Sequence, residues 1–153
     1  MFWSSGAAAR SLRSQDLAQL GPAEVLGRVN RFIHSSVDPG KFITAFLCLF
    51  NPATGELRYA NAGHDPPLLL RKDGTIIPLT GGGLILGMLP QIVYEEARAE
   101  VPPDALLAIF TDGVTEARDP DGGFFGPESL ERVLLATLGA PCVDVMRRVV
   151  EEI

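Results

Sequence analysis

Only two cysteines occur in 153 residues, and neither stands at metal-ligand spacing from another cysteine or a histidine. No zinc-type site is read from them. Cys48 and Cys142 lie in apolar contexts and are expected to be buried free thiols of a reducing, cytoplasmic compartment. Basic residues are scarce: 13 Lys and Arg against 19 Asp and Glu leave a net charge of −6, with no basic stripe. That speaks against a nucleic-acid partner or an anionic membrane surface. No apolar run reaches the length of a membrane span, so no membrane segment is expected. No sustained apolar stretch follows the basic start MFWSSGAAARSLR, which argues against a secretory signal. No Ser/His/Asp arrangement has recognisable spacing, and Gly81-Gly82-Gly83 lacks the Lys-Ser/Thr of a phosphate loop. Internal repeats and interdomain linkers are absent too.

What is present is an ordinary globular composition, 46% apolar and 21% charged, which is too apolar for disorder and enough for one core. Residues 1–20 read as a helix rich in small residues; a transit peptide is the other reading of its first thirteen. Pro22 opens a second helix with Glu24 in its first turn, a stripe of Val25, Leu26, Val29, Phe32 and Ile33, and His34 as a surface cap. From Phe42 the period changes. Phe42–Phe50 and Ala105–Phe110 are nearly continuous apolar runs, read as central strands covered on both faces. Residues 56–60, 68–71, 75–79 and 92–101 supply further strands, with a hairpin at Asp73-Gly74 and an exposed or edge strand last. Pro127 and Pro141 open two closing helices with stripes Leu130, Val133, Leu134, Leu138 and Val145, Met146, Val149, Val150. Two antiparallel sheets packed together with helices outside satisfy this order; a single sheet flanked by helices competes.

Asp112 is the sharpest chemical signal. An apolar strand delivers it to a chain end, and Gly113 lets the backbone turn away. A carboxylate at a sheet rim suits Mg²⁺ or Mn²⁺, which prefer oxygen ligands. The bland alternative is a turn aspartate, as at Asp73-Gly74 and Asp121-Gly122. The second constellation is Asn61-Ala62-Gly63-His64-Asp65-Pro66-Pro67, between two strands. His64 could serve as a base or ligand, or simply bond neighbouring backbone, as Asn61 would. The glycine cluster 81–83 reads as a mobile loop or flap.

Taken in order, PAEVLGRVNRFIHSS, FITAFLCLFNPATGELRYANAGHDPPLLLRKDG, GGGLILGM and LLAIFTDGVTEARDPDGGFFG resemble one family. It is the PPM-type (protein phosphatase 2C-like) serine/threonine phosphatases of the stage II sporulation protein E class. The strings ANAGH and TDGVTEARDPDG, in that order, are specific to it; Ile85 departs where relatives commonly have proline. The resemblance implies an α+β fold, a four-layer α-β-β-α sandwich of two antiparallel sheets flanked by helices. It also implies hydrolysis of phosphoserine or phosphothreonine on a protein by a water activated on two divalent ions, Mn²⁺ or Mg²⁺, with no protein nucleophile. Asp112 matches a metal-binding aspartate. Thr111 and Gly113 would position it, and Asn61, Gly63 and His64 would support the site. By the same resemblance the substrate is a phosphorylated anti-sigma-factor antagonist, and a sensor domain can stand upstream.

Acids before Phe42 number three, Asp16, Glu24 and Asp38, and none lies in the Gly-Asp-Val context of the family's first metal motif. Family aspartates that follow the last helix have no counterpart before Ile153. Residues 1–153 are therefore expected to form one partial phosphatase domain, an incomplete sandwich without the first metal motif and the C-terminal strand. Such a piece should turn over negligibly and tend to self-associate through open sheet edges. Two rival readings are a degenerate phosphatase fold that binds a phosphoprotein without catalysis, and a different metal-dependent hydrolase acting on small phosphate esters.

Overall fold

A computed structural model of the chain describes residues 20–38, 40–118 and 122–153. The helix expected over residues 1–20 lies almost wholly outside them, as does Asp121. In chain order the elements are α1 (Pro22–Ser36), β1 (Ala45–Asn51), β2 (Glu56–Ala62), β3 (Leu68–Leu70), β4 (Ile76–Pro78), β5 (Ala97–Glu100), β6 (Leu106–Ala108), α2 (Asp112–Thr115), α3 (Gly126–Ala136) and α4 (Cys142–Glu152).

Two antiparallel three-stranded sheets form, in the orders β1-β2-β5 and β4-β3-β6. The period-2 alternation of strand side chains sorts them into layers. Leu57 and Tyr59 of β2 meet Leu69 of β3 and Leu79 between the sheets, whereas Ala60 and Ala62 of β2 face α1. On the second sheet, Leu68 and Leu70 point the other way, onto Leu130, Leu134 and Val145 of α3 and α4. The result is helix, sheet, sheet, helix: the four-layer α+β sandwich, not the single flanked sheet.

The hairpin at Asp73-Gly74 is present. Gly74 adopts φ +86°, Arg71 N–H donates to the Thr75 carbonyl at 2.9 Å, and the Asp73 carboxylate accepts from the Thr75 amide at 2.9 Å. That amide hydrogen bond holds the Asp73 carboxyl below the usual carboxylate range.

Several sequence expectations need correction. Phe42–Phe50 and Ala105–Phe110 are not central strands: β1 and β6 lie at sheet edges among the described residues, with β2 and β3 in the centres. Phe42, Ile43, Leu49, Phe50 and Ile109 are accordingly exposed. On α1 the buried line is Pro22, Leu26, Asn30 and Ile33, and Val29 and Phe32 face outward. A buried asparagine hid that line from an apolar count. On α4, Val145 is buried but Met146 and Val150 are 68% and 72% exposed. Cys142 is also exposed, because it opens α4; Cys48 is half-buried, and burial pushes its thiol pKa up.

Tyr94 completes the core beneath α1, where its hydroxyl is buried without a hydrogen-bond partner among the described residues. A buried, unpaired polar group costs on the order of 1–3 kcal/mol. Tyr94→Phe is therefore expected to raise stability by about 1 kcal/mol, read as a higher urea midpoint at unchanged slope.

Candidate metal centre and the turn beside it

Strand register brings three connections to one end of the sandwich. Ala62 at the end of β2 lies opposite Ala45, and Leu68 at the start of β3 lies opposite both Pro78 and Ala108. The 63–67 turn, the 79–96 segment and the stretch from Ile109 to Arg118 therefore all leave the sheets at that end.

Asp112 stands four residues past the end of β6. Thr111 is extended (φ −109°, ψ 168°), and Asp112 then opens the single turn α2. Its carbonyl accepts from the Glu116 amide at 2.7 Å and from Thr115 Oγ1 at 3.3 Å, and Val114 packs into the core of α3 and α4. Backbone position is thus fixed while the carboxylate is exposed and bonds to no described side chain or amide. The bend does not depend on a left-handed Gly113, whose φ lies outside that region. Chain direction changes here because a helical turn begins, a point the sequence reading missed.

In the Asn61–His64 turn, buried Asn61 works at both ends of its amide. Its Oδ1 accepts from the His64 amide at 2.7 Å, and its Nδ2 donates to the His64 carbonyl at 2.8 Å. Gly63 between them has φ +71°, and a side-chain carbon there would collide with Ile85 Cγ2. The residue that departs from the family pattern, Ile85, thus packs directly on this turn. Asn61 and Gly63 shape the backbone; the half-buried His64 lines a cleft with the 81–83 glycines, Glu95 and Glu96.

Sequence reasoning missed two ties. Asn30, fully buried in α1, accepts from the Gly87 amide at 2.9 Å and donates to the Leu89 carbonyl at 3.0 Å, while His34 Nδ1 lies 2.9 Å from the Gly87 carbonyl. Arg58 and Glu96 form a two-point ion pair (2.7 and 3.1 Å) under Gly21, so a side chain at Gly21 would strike the Glu96 carboxylate. An asparagine in an otherwise apolar helical line was the available signal for the first. Only the folded register reveals the second.

Asp112 fits one ligand position for a hard dication, being an exposed carboxylate at a sheet rim with no bond to a described residue. The described residues do not complete such a site: no group of three or more His, Cys, Asp or Glu is placed to hold an ion among them. No chemical step can be carried through ions on these residues alone.

The layer order and sheet pairing are those of PP2C-type domains. The SiaA-PP2C domain of Pseudomonas aeruginosa superposes with a TM-score of 0.73 at 20% identity, over 86% of this chain and 52% of that one. The RsbU and RsbW domains of a Mycobacterium tuberculosis protein superpose with a TM-score of 0.70 at 24% identity, over 92% of this chain and 40% of that one. The chain belongs to the stage II sporulation protein E (SpoIIE) family of PPM-type phosphatase domains, whose profile matches residues 4–153. Among curated proteins it is 28% identical to phosphoserine phosphatase RsbU of Bacillus subtilis over 133 residues, which are 86% of this chain and 39% of RsbU. It is 35% identical to protein IcfG of Synechocystis over 103 residues, 67% of this chain and 16% of IcfG. Phosphoserine phosphatase RsbP of Bacillus subtilis is 27% identical over 101 residues, 63% of this chain and 25% of RsbP. No helix among the described residues is long and apolar enough to cross a membrane.

Proposed function

We propose that the protein carrying this chain removes phosphate from phosphoserine or phosphothreonine on a regulatory protein of the anti-sigma-factor antagonist type, in the cytoplasm. The observation that carries this reading is the Asp112 carboxylate, fixed through its backbone and without a partner among the described residues, at the end of the sandwich that also bears the Asn61–His64 turn. Membership of the family and the names of RsbU and RsbP support the reaction class. Two Mn²⁺ or Mg²⁺ ions would supply an activated water and neutralise phosphoryl charge. Asp112 would be one ligand, with Thr111 and Gly113 setting its place and Asn61, Gly63 and His64 shaping the wall beside it.

A second reading, a phosphoprotein-binding module without catalysis, draws support from the lack of any three-acid group among the described residues. One comparison separates the two: release of phosphate from a phosphoserine peptide with added Mn²⁺, by the whole protein and by residues 1–153 alone. The whole protein is expected to turn over and the 153-residue chain to release about 1% as much or less, since paired ions need several anionic ligands. A whole protein that binds the peptide but never releases phosphate would make the second reading the right one.

A further inference from the structure

The glycine cluster at 81–83 borders an open cleft of about 500 Å³ whose wall also includes Asn61, His64, Thr80, Glu95 and Glu96. Two of its glycines are dictated by the fold. A side-chain carbon at Gly81 would crowd the Tyr59 ring at 3.2 Å, and one at Gly83 would run into the ring of Tyr94. Gly82 is different: its φ is outside the left-handed region, and a side-chain carbon there would meet nothing within 4 Å among the described residues. Among the described residues, neither backbone conformation nor internal packing calls for glycine at 82, although glycine there costs folding entropy. A bare backbone at 82 leaves this side of the cleft open to the close approach of an extended segment.

Charge narrows what that is. Glu95 lines the cleft, is exposed and makes no ion pair with a described residue; the Glu96 carboxylate is already held by Arg58. Asp65, Asp112 and Glu116, at the same end of the sandwich, are likewise without ion-pair partners among the described residues. Within the cleft lining the acids are Glu95 and Glu96, with no Lys or Arg among the lining residues, so the cleft favours a cation over an anion. A cationic side chain on an extended segment suits it on both counts: main chain against Gly82, positive charge toward Glu95.

We infer that this cleft is a peptide subsite that takes a basic residue flanking the phosphorylated serine or threonine, with Gly82 admitting the backbone and Glu95 reading the charge. The inference rests on the phosphatase reading for the identity of the peptide, and its test does not need turnover. The probes are two fluorescent phosphoserine decapeptides, one with arginine two residues to either side of the phosphoserine and one with alanine at both places. Their binding to the whole protein is followed by anisotropy without added divalent metal.

Wild type is expected to favour the arginine peptide about fivefold, and Glu95→Gln to erase that preference. Gly82→Val should weaken both peptides about tenfold or more by filling the space the backbone needs, with Gly82→Ala between it and wild type. Melting temperatures should not fall, because no described residue meets a side-chain carbon at 82. A preserved arginine preference in Glu95→Gln together with wild-type binding by Gly82→Val would overturn the subsite. With Mn²⁺ added, Gly82→Val should hydrolyse p-nitrophenyl phosphate as wild type does; an equal loss on that small ester would make Gly82 a hinge and not a docking position. If the peptides bind as described while wild type releases phosphate from neither peptide nor ester, the subsite stands and the phosphatase reading falls.

Discussion

Asp112→Asn, introduced in the whole protein, is expected to lower Mn²⁺-dependent phosphoserine turnover about 100- to 1000-fold. Weakening the hold on an ion that would neutralise charge on the transferring phosphoryl group should remove several kcal/mol of transition-state stabilisation, and each 1.36 kcal/mol is a factor of ten. Asparagine keeps size and shape but withdraws the negative charge, so calorimetry should show weaker manganese binding as well. Stability is the discriminating control. The carboxylate is exposed and makes no bond within the described protein, whereas the Asp112 carbonyl carries the hydrogen bonds that build the turn. The melting curve should therefore move by no more than about 0.5 kcal/mol equivalent. A turn aspartate behaves in the opposite way, because asparagine serves in turns as well as aspartate does and activity would survive. Unchanged turnover and manganese affinity in Asp112→Asn would remove the residue from the site.

How far the sequence could be read depended on whether a feature was local. The Asp73-Gly74 hairpin, the proline-opened helices and the six strands announce themselves through turn residues and periodicity, which depend on near neighbours in the chain. Pairing partners do not. The run 42–50 looks central because it is apolar on both faces, yet β1 pairs on one side only among the described residues. Apolar content reports coverage of faces, and edge position is decided by another strand's presence or absence. Asn30 failed for the complementary reason: its burial is tolerable only because Gly87 and Leu89, nearly sixty residues away, present an amide and a carbonyl to it. Of the candidate site, Asp112, Asn61, Gly63 and His64 were legible as a motif, and the division of labour among them was not. Asn61 closes its own turn, and Gly63 makes room for Ile85. Asn61 was legible as a backbone-bonding residue, but the Ile85 contact depends on a segment twenty residues on.

Asn30→Ala should be the most damaging substitution for stability outside the apolar core. The side chain is wholly buried and both ends of its amide are engaged, so alanine removes the partners of the half-buried Gly87 amide and of the carbonyl of the exposed Leu89. Two lost hydrogen bonds at roughly 1 kcal/mol each, plus a cavity of about 1 kcal/mol, sum to about 3 kcal/mol. For a chain of this size that is a fall of about 6–12 °C in melting temperature. Asn30→Asp keeps an acceptor for the Gly87 amide but loses the donor to Leu89 and buries a charge, so it should fare no better at neutral pH. The consequence should also reach the candidate site. Leu86 bridges to Ile43, Ile85 abuts Gly63, and Gly63 sits inside the turn that Asn61 clamps. Releasing the 87–89 segment from α1 frees the neighbour against which that turn is packed. Amide exchange is therefore expected to quicken at Gly87 and at His64, whose amide is protected by Asn61, while the Asp73–Thr75 hairpin on the far sheet exchanges as before. Faster exchange at Gly87 with His64 unchanged would separate the helix anchor from the turn and leave Asn30 a purely local tie.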